Sequence, residues 1–408
     1  MYICIFESSQ KKSTIVKNPL ILFLSILIIL GLFSCKFLSK PTNYLNQTVP
    51  DSHPVVFAPD IVSAKGRLEH GISFSPDGQE MTFGILNNDD SGQIFYSKMM
   101  NEDWTEPMIF EPLKGKSVFL PYFSPDGKSL LYAQSKPEVN YLTDIGKLEK
   151  SADGWGSPQL IQHPLSSKSR EANASMTYNG TIYFSSNRNC EGKENCFTAD
   201  LFYSALVDEE YRKVEVISEL LSPNDEESVF ISPNEDYLIF CRYTSDETAT
   251  DLYITYRDIN KKWTVPRVLD SAINSNDWDR RPFVSIDNKF LFFTRLQVEQ
   301  TELRESDIFW ANTSKVFKPF VFNPVSNTTI KVGEKFEILL PADYFKDIDD
   351  QQLTLSLNTT EYDWLEFDNK NNLISGLPTE TGNFELTFTA VDKFLNTTEN
   401  QVKLKVTD

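Results

Sequence analysis

Residues 73–84, SFSPDGQEMTFG, set an apolar segment on each side of Ser-Pro-Asp-Gly, the composition of a tight turn between two strands. The pattern returns in residues 122–133 (YFSPDGKSLLYA), 175–186 (SMTYNGTIYFSS), 230–241 (FISPNEDYLIFC) and 283–294 (FVSIDNKFLFFT). The turns begin at Ser75, Ser124, Thr177, Ser232 and Ser285, spaced 49, 53, 55 and 53 residues apart. A third strand follows in each unit, starting at Gln93, Asp144, Asp200, Asp251 and Asp307. A fourth begins near Trp104, Trp155 and Trp263, more weakly near Tyr211. Four strands per unit of about fifty residues, with no helical period, describe the blade of a β-propeller. A β-helix needs a much shorter repeat, and separate four-stranded domains would bury too little surface.

The ends of the repeat region suggest how the ring closes. Residues 54–59 (PVVFAP) align with residues 107–112 (PMIFEP), placing Phe57 on Phe110 and Pro59 on Pro112. An N-terminal strand of this kind completes the last blade and removes the open sheet edges, giving five blades. The alternative is that residues 317–320 (FKPF) supply that strand and a sixth, irregular blade exists. Either way residues 54–318 form the propeller.

These units resemble the WD40-like (PD40) repeats of TolB-type propellers. The strand–SPDG–strand signature is intact at Ser75 and Ser124 and altered in the other three repeats. The resemblance spans residues 54–317 and implies an interaction platform in the bacterial envelope. It does not carry over TolB's own partner, the peptidoglycan-associated lipoprotein, because the α/β domain that precedes the propeller in TolB has no counterpart here.

Composition narrows the partners. The 408 residues hold 58 acidic against 39 basic side chains, for a formal charge of −19. Nucleic acid and anionic lipid surfaces need clustered Lys and Arg and are disfavoured. An aromatic content of 13% excludes a disordered acidic tail. His53, His70 and His163 are the only histidines, which argues against His-based metal or nucleophile chemistry.

Residues 1–34 read as a signal peptide. Lys11, Lys12 and Lys17 precede an apolar run over 19–33, shorter than the roughly 20 residues of a spanning helix. An uncleaved anchor helix is the alternative. Leu32-Phe33-Ser34-Cys35 resembles the lipobox of bacterial lipoproteins, which implies acylation of Cys35 and anchorage in the membrane through the lipid. Lys36 stands where family knowledge puts Asp for inner-membrane retention. The expectation is an outer-membrane lipoprotein facing the periplasm or the cell surface, with residues 35–53 as lipidated Cys and tether. Without residues 1–34 the formal charge becomes −21. Cys190 and Cys196, in a polar insertion, suit a small disulfide loop, with a metal pair as the alternative. Cys241, in an apolar strand, reads as a core thiol.

A binding site is expected at the channel mouth. Six residues before the turns stand Glu69, Val118, Glu171, Glu226 and Asp279, which predicts a ring of acids around one opening. His70, Asn173, Glu227, Arg280 and Arg281 lie beside them. Such a mouth would take a cationic peptide segment, a sugar or a divalent ion. The competing expectation is that each acid bonds a neighbouring blade.

From residue 319 a new alternation predicts a β-sandwich over 319–408. Residues 344–356 (YFKDIDDQQLTLS), Trp364-Leu365-Glu366-Phe367 and the spaced glycines Gly376 and Gly382 resemble the dystroglycan-type cadherin-like, Ig-like domain of surface proteins. Some members of that family bind calcium through the acidic turn, which implies Asp347, Asp349, Asp350 and Asp392 as ligands here; a solvated acidic turn is the alternative. No other cofactor is expected. The function read from the sequence is a non-catalytic, membrane-anchored platform for an envelope protein or glycan. The alternative is a glycosidase working with two carboxylates of the mouth.

Overall fold

The computed structural model describes residues 43–408 apart from 88, 137–138, 194–195, 197, 245–248, 300–301 and 360–361. The signal segment, Cys35 and the tether up to residue 42 lie outside the described residues.

Each repeat folds into an antiparallel blade. In the first, Leu68–Phe74, Glu80–Leu86, Gly92–Met100 and Met108–Ile109 pair in that order. The innermost strands of the other four are Val118–Phe123, Glu171–Met176, Glu226–Ile231 and Trp278–Val284. Successive inner strands pack against one another around a ring, and the fifth packs against the first. Val55–Val56 supplies the outer strand of the fifth blade, pairing antiparallel with Glu302–Asn312; Val55 lies opposite Trp310 and Val56 opposite Phe309. The ring therefore has five blades and closes through its N-terminal strand. Phe320 and Val321 are not the closing strand: they pair with Phe345–Lys346 of the next domain.

The turns explain why altered repeats keep the same fold. The Ser75 hydroxyl donates to Asp77 Oδ1 at 2.6 Å and accepts the Glu80 N–H at 2.9 Å. Ser124 and Asp126, Thr177 and Asn179, and Ser285 and Asp287 repeat the first bond. Left-handed backbone follows at Gly78, Gly127 and Gly180, and equally at Glu235 (φ 61°) and Asn288 (φ 58°). A side-chain bond to the turn backbone holds a conformation that glycine alone adopts freely.

A second repeated device shapes the channel. Every inner strand carries a register shift against its neighbour, at Glu69/Ile72, Phe119/Tyr122, Ala172/Ser175, Glu227/Phe230 and Arg280/Phe283. One residue in each bulge has positive φ: Gly71, Leu120, Asn173, Ser228 and Arg281. A bulge re-aims the side chains around it, breaking the simple two-residue alternation.

Aromatic side chains fill the space between sheets. Phe57 is fully buried beside Phe292 and Trp310, with ring centroids 5.2 and 5.3 Å away. Trp155 packs on Phe110 and Phe123, and Trp263 packs edge-on against Tyr183 of the preceding blade. Cys241 is a fully buried core thiol.

The C-terminal domain is a sandwich. One sheet orders Thr328–Lys331, Thr397–Thr407, Gly382–Val391 and Thr354–Leu357; the other joins Phe336–Leu339, Leu373–Gly376 and Leu365–Asp368. Leu386, Phe388, Leu404 and Ile374 form its core. Gly376 is required by packing, since a Cβ there would collide with the Trp364 carbonyl. The two domains meet where Phe320 stacks on Tyr256 at 4.2 Å and the Asn396 amide donates to the Ser314 carbonyl at 2.8 Å.

Candidate ligand site at the propeller mouth

The four repeat acids do not ring the mouth. Glu69, Glu171, Glu226 and Asp279 are each at most 1% exposed, because the following bulge leaves them facing into their own blades. Three of them share one construction. Asp279 accepts from Arg295 Nε at 2.8 Å, Ser275 N–H at 2.7 Å and Ser275 Oγ at 2.9 Å. Glu226 accepts from Arg242 Nε at 2.9 Å and from the Ser222 hydroxyl. Glu171 accepts from Arg188 at 3.1 Å and from Ser167 N–H at 3.2 Å. In the first blade, Arg67 Nε donates to Glu69 at 2.6 Å from the same strand's approach.

Each arginine also holds a carbonyl of the loop that precedes its blade's inner strand. Arg295 reaches Ile273 O at 2.8 Å, Arg242 reaches Leu220 O at 3.0 Å, Arg188 reaches Leu165 O at 2.5 Å and Arg67 reaches Val62 O at 2.5 Å. Their guanidinium planes lie near aromatic rings: Arg295 by Phe309, Arg242 by Tyr253, Arg188 by Phe184. The acids are thus clamps that tie loop to blade. Burial pushes Glu69 and Glu226 up to about 7 against the pull of Arg67 and of Ser222 with Arg242, and raises Glu171 and Asp279 as well.

The bulge residues and those just before them line the mouth instead. His70, Phe119, Asn173, Glu227, Arg170 and Arg281 border a cavity of about 330 Å³. An adjoining cavity of about 40 Å³, bordered by Tyr122, Ala174, Val229 and Phe283, extends from the same bulges. Of the residues expected at the mouth, His70, Asn173, Glu227 and Arg281 are there, and Arg280 sits behind them, 7% exposed.

Arginines set the electrostatics of this site. Arg170 and Arg280 both ion-pair with Glu227, which is 3% exposed. Arg280 also lies over the rings of Trp278 and Tyr243 at 5.3 and 5.4 Å. Burial and the charges of Arg281, Arg280 and Arg170 hold His70 well below its ordinary value, so its imidazole is neutral at pH 7. The expectation of a mostly acidic mouth is corrected: two guanidiniums pair with one buried carboxylate, and a third arginine, Arg281, borders the same cavity. Arg170 is not legible as a mouth residue in the sequence because it lies one residue before the inner strand Glu171–Met176, outside the aligned repeat positions. The available signal was Arg170, Arg280 and Arg281 at neighbouring repeat positions of two blades.

Comparison with known proteins places the second domain. Residues 318–407 match the family model described as "Putative Ig domain". No curated protein matches the chain. Solved structures similar to the chain include "putative TolB from Agrobacterium tumefaciens", 11% identical, covering 83% of this chain and 82% of that one, TM-score 0.40. A GH43 endo-arabinanase from Bacillus licheniformis is 13% identical, covering 62% and 95%, TM-score 0.40. The catalytic domain of Coprinopsis cinerea GH62 α-L-arabinofuranosidase is 7% identical, covering 65% and 98%, TM-score 0.42.

In the Ig-like C-terminal domain the four aspartates expected to hold calcium are not gathered into a cage among the described residues. Asp392 Oδ1 accepts from the N–H groups of Phe394 and Asn396, and its Oδ2 accepts from the Asn396 amide. Asp350 accepts from the N–H groups of Gln352 and Lys393. Only Asp347 Oδ2 and Asp349 Oδ1 are buried without a partner. Among the described residues no group of three or more His, Cys, Asp or Glu is arranged to hold a metal. The acids instead hold a turn together, as backbone donors at short spacing dictate.

Burial raises both Asp347 and Asp349; the charges of Asp349 and Asp392 add to the first, and those of Asp392 and Asp350 to the second. A raised carboxyl stabilises the fold fully below its unfolded value of 3.8 and loses that contribution as pH rises through the folded value. Asp347→Asn is therefore expected to raise the melting temperature at pH 8 and to change it little at pH 4. A variant less stable than wild type at pH 8 contradicts this.

Cys190 and Cys196 form a disulfide with their Cα atoms 5.2 Å apart, closing the polar insertion of the third blade.

Proposed function

We propose that the protein is a non-catalytic envelope lipoprotein, anchored in the outer membrane through lipid on Cys35, whose propeller mouth binds an envelope protein or glycan. One observation carries this reading. The mouth is a formed cavity with unspent polar groups, while the repeated carboxylates that a glycosidase would need there are committed to clamps. The Ig domain then acts as a spacer beside the propeller. Calcium, the one cofactor the sequence raises, has two free oxygens to work with, on Asp347 and Asp349, against the six to eight that Ca²⁺ takes.

The test uses the full chain extracted in detergent as bait for outer-membrane extracts. Leu120 is half-buried at the mouth and already has left-handed backbone (φ 56°), the conformation that Arg281 adopts at the same repeat position. Leu120→Arg is thus compatible with the fold and obstructs the opening. The expected result is specific recovery of a partner by wild type and its loss with Leu120→Arg. Equal recovery by both moves the binding surface away from the mouth.

A further inference from the structure

Arg281 carries the inference. Its guanidinium makes no ion pair or hydrogen bond among the described residues, although Arg170 and Arg280 beside it share Glu227. Burial and the like charges of Arg280 and Arg170 work against its cation. An arginine remains charged at physiological pH, so the molecule holds an uncompensated cation at the edge of a cavity. The backbone supports the same conclusion. Arg281 has φ 55° where the other blades place Gly71, Leu120, Asn173 and Ser228, and a strained, long cationic residue is kept at that position. The stem of Arg281 lies against Gly71 of the first blade, and its guanidinium is left without a partner among the described residues.

The rest of the wall indicates what the anion is attached to. Asn173 Nδ2 donates to Ser185 Oγ at 3.1 Å, which leaves its carbonyl oxygen as an acceptor. The exposed Asp90 adds an acceptor at the rim, and Phe119 contributes an apolar face. Acceptors for hydroxyls, one aromatic face and one open guanidinium fork in about 330 Å³ suit a compact polyhydroxylated carboxylate.

Resting on the platform reading above and deepening it, we propose that the propeller mouth binds a uronic acid, its carboxylate on Arg281 and its hydroxyls on Asn173 and Asp90. A planar bidentate fork matches a carboxylate, and the Arg281 guanidinium, unpaired among the described residues, matches a single negative charge.

The test is calorimetric titration of the full chain in neutral detergent with D-glucuronate and D-galacturonate, against D-glucose, D-galactose, inorganic phosphate and a hexaglutamate peptide. Saturable binding of a uronate is expected, with the neutral sugars giving none and affinity falling as salt rises. Arg281→Asn is expected to weaken uronate binding about tenfold or more, because it removes a charge-assisted pair. Asn tolerates left-handed backbone, so this variant is expected to melt no lower than wild type. Asn173→Asp, equally tolerant, places a negative charge beside the ligand and is expected to weaken binding likewise. Absence of uronate binding to wild type, equal binding by both variants, or tighter binding of phosphate or hexaglutamate overturns the assignment. The recovery experiment with Leu120→Arg decides the platform reading separately, since it depends on no particular ligand.

Discussion

Phe57→Ala is expected to cost about 3–5 kcal/mol of folding stability, the range for removing a large buried aromatic side chain. Phe57 is fully buried and lies edge-on to Phe292, Trp310 and Phe74, at 5.2, 5.3 and 6.0 Å. Its N–H donates to Ile308 O at 2.7 Å, a bond the alanine keeps. The loss is therefore packing, with no ladder bond removed. It falls beside the strand that joins the two ends of the propeller, where Phe57 contacts Phe292 and Trp310 of the fifth blade and Phe74 of the first. Tearing that contact opens a blade edge as well as a cavity, so the cost lies at the upper end if the edge frays. Urea unfolding followed by tryptophan fluorescence measures it, with Val55→Ala as control. Val55 is 45% exposed on the outer face, and its truncation is expected to stay within about 0.5 kcal/mol. A Phe57→Ala loss below about 1 kcal/mol means that the closing strand does not hold the ring.

Arg295→Met is the second large effect. Asp279 is fully buried, and among the described residues its carboxylate accepts only from Arg295 and Ser275. Methionine keeps much of the packing volume beside Phe293 and Phe309 but strands the carboxylate, a loss of about 3–5 kcal/mol at pH 8. The sign with pH follows from the raised Asp279. Without Arg295 the carboxyl rises further, so the protonated form is the one the fold accepts, and the penalty shrinks as pH falls. Adding Asp279→Asn to Arg295→Met removes the stranded charge and is expected to restore a large part of the stability and to flatten the pH profile. A double variant no more stable than Arg295→Met at pH 8 means that the loop contact of Arg295 to Ile273 O, and not the ion pair, carries the energy.

Both effects bear on how the mouth is built. The clamps fix the loops that lead into the inner strands, and the bulges within those strands aim His70, Asn173, Glu227 and Arg281 inward. The hold on the blade and the wall of the cavity thus fall to residues two positions apart in the same repeat: Asp279 holds the blade and Arg281 faces the cavity.

That division shows where local sequence information runs out. The SPDG turns, the strand periods and the match of residues 54–59 to 107–112 are local or repeated signals, and each is set by contacts within a few residues or by identity between units. They point to the blades and the sandwich, whereas the choice between five and six blades rests on the pairing of Val55–Val56 with the fifth blade and of Phe320–Val321 with the next domain. The disulfide between Cys190 and Cys196 is of the same kind, since six residues separate its ends. The direction of a side chain after a bulge is different. Strict alternation puts Glu69, Glu171, Glu226 and Asp279 in the channel, and one inserted residue per inner strand reverses that. The charge at the mouth is likewise a tertiary fact. Arg170 and Arg280 stand 110 positions apart in the chain, and only the side-by-side packing of the third, fourth and fifth blades brings both guanidiniums onto Glu227. A sequence carries the count of its charges, −19 in all, whereas the folded ring decides which of them meet a partner and which, like Arg281, are left facing a cavity.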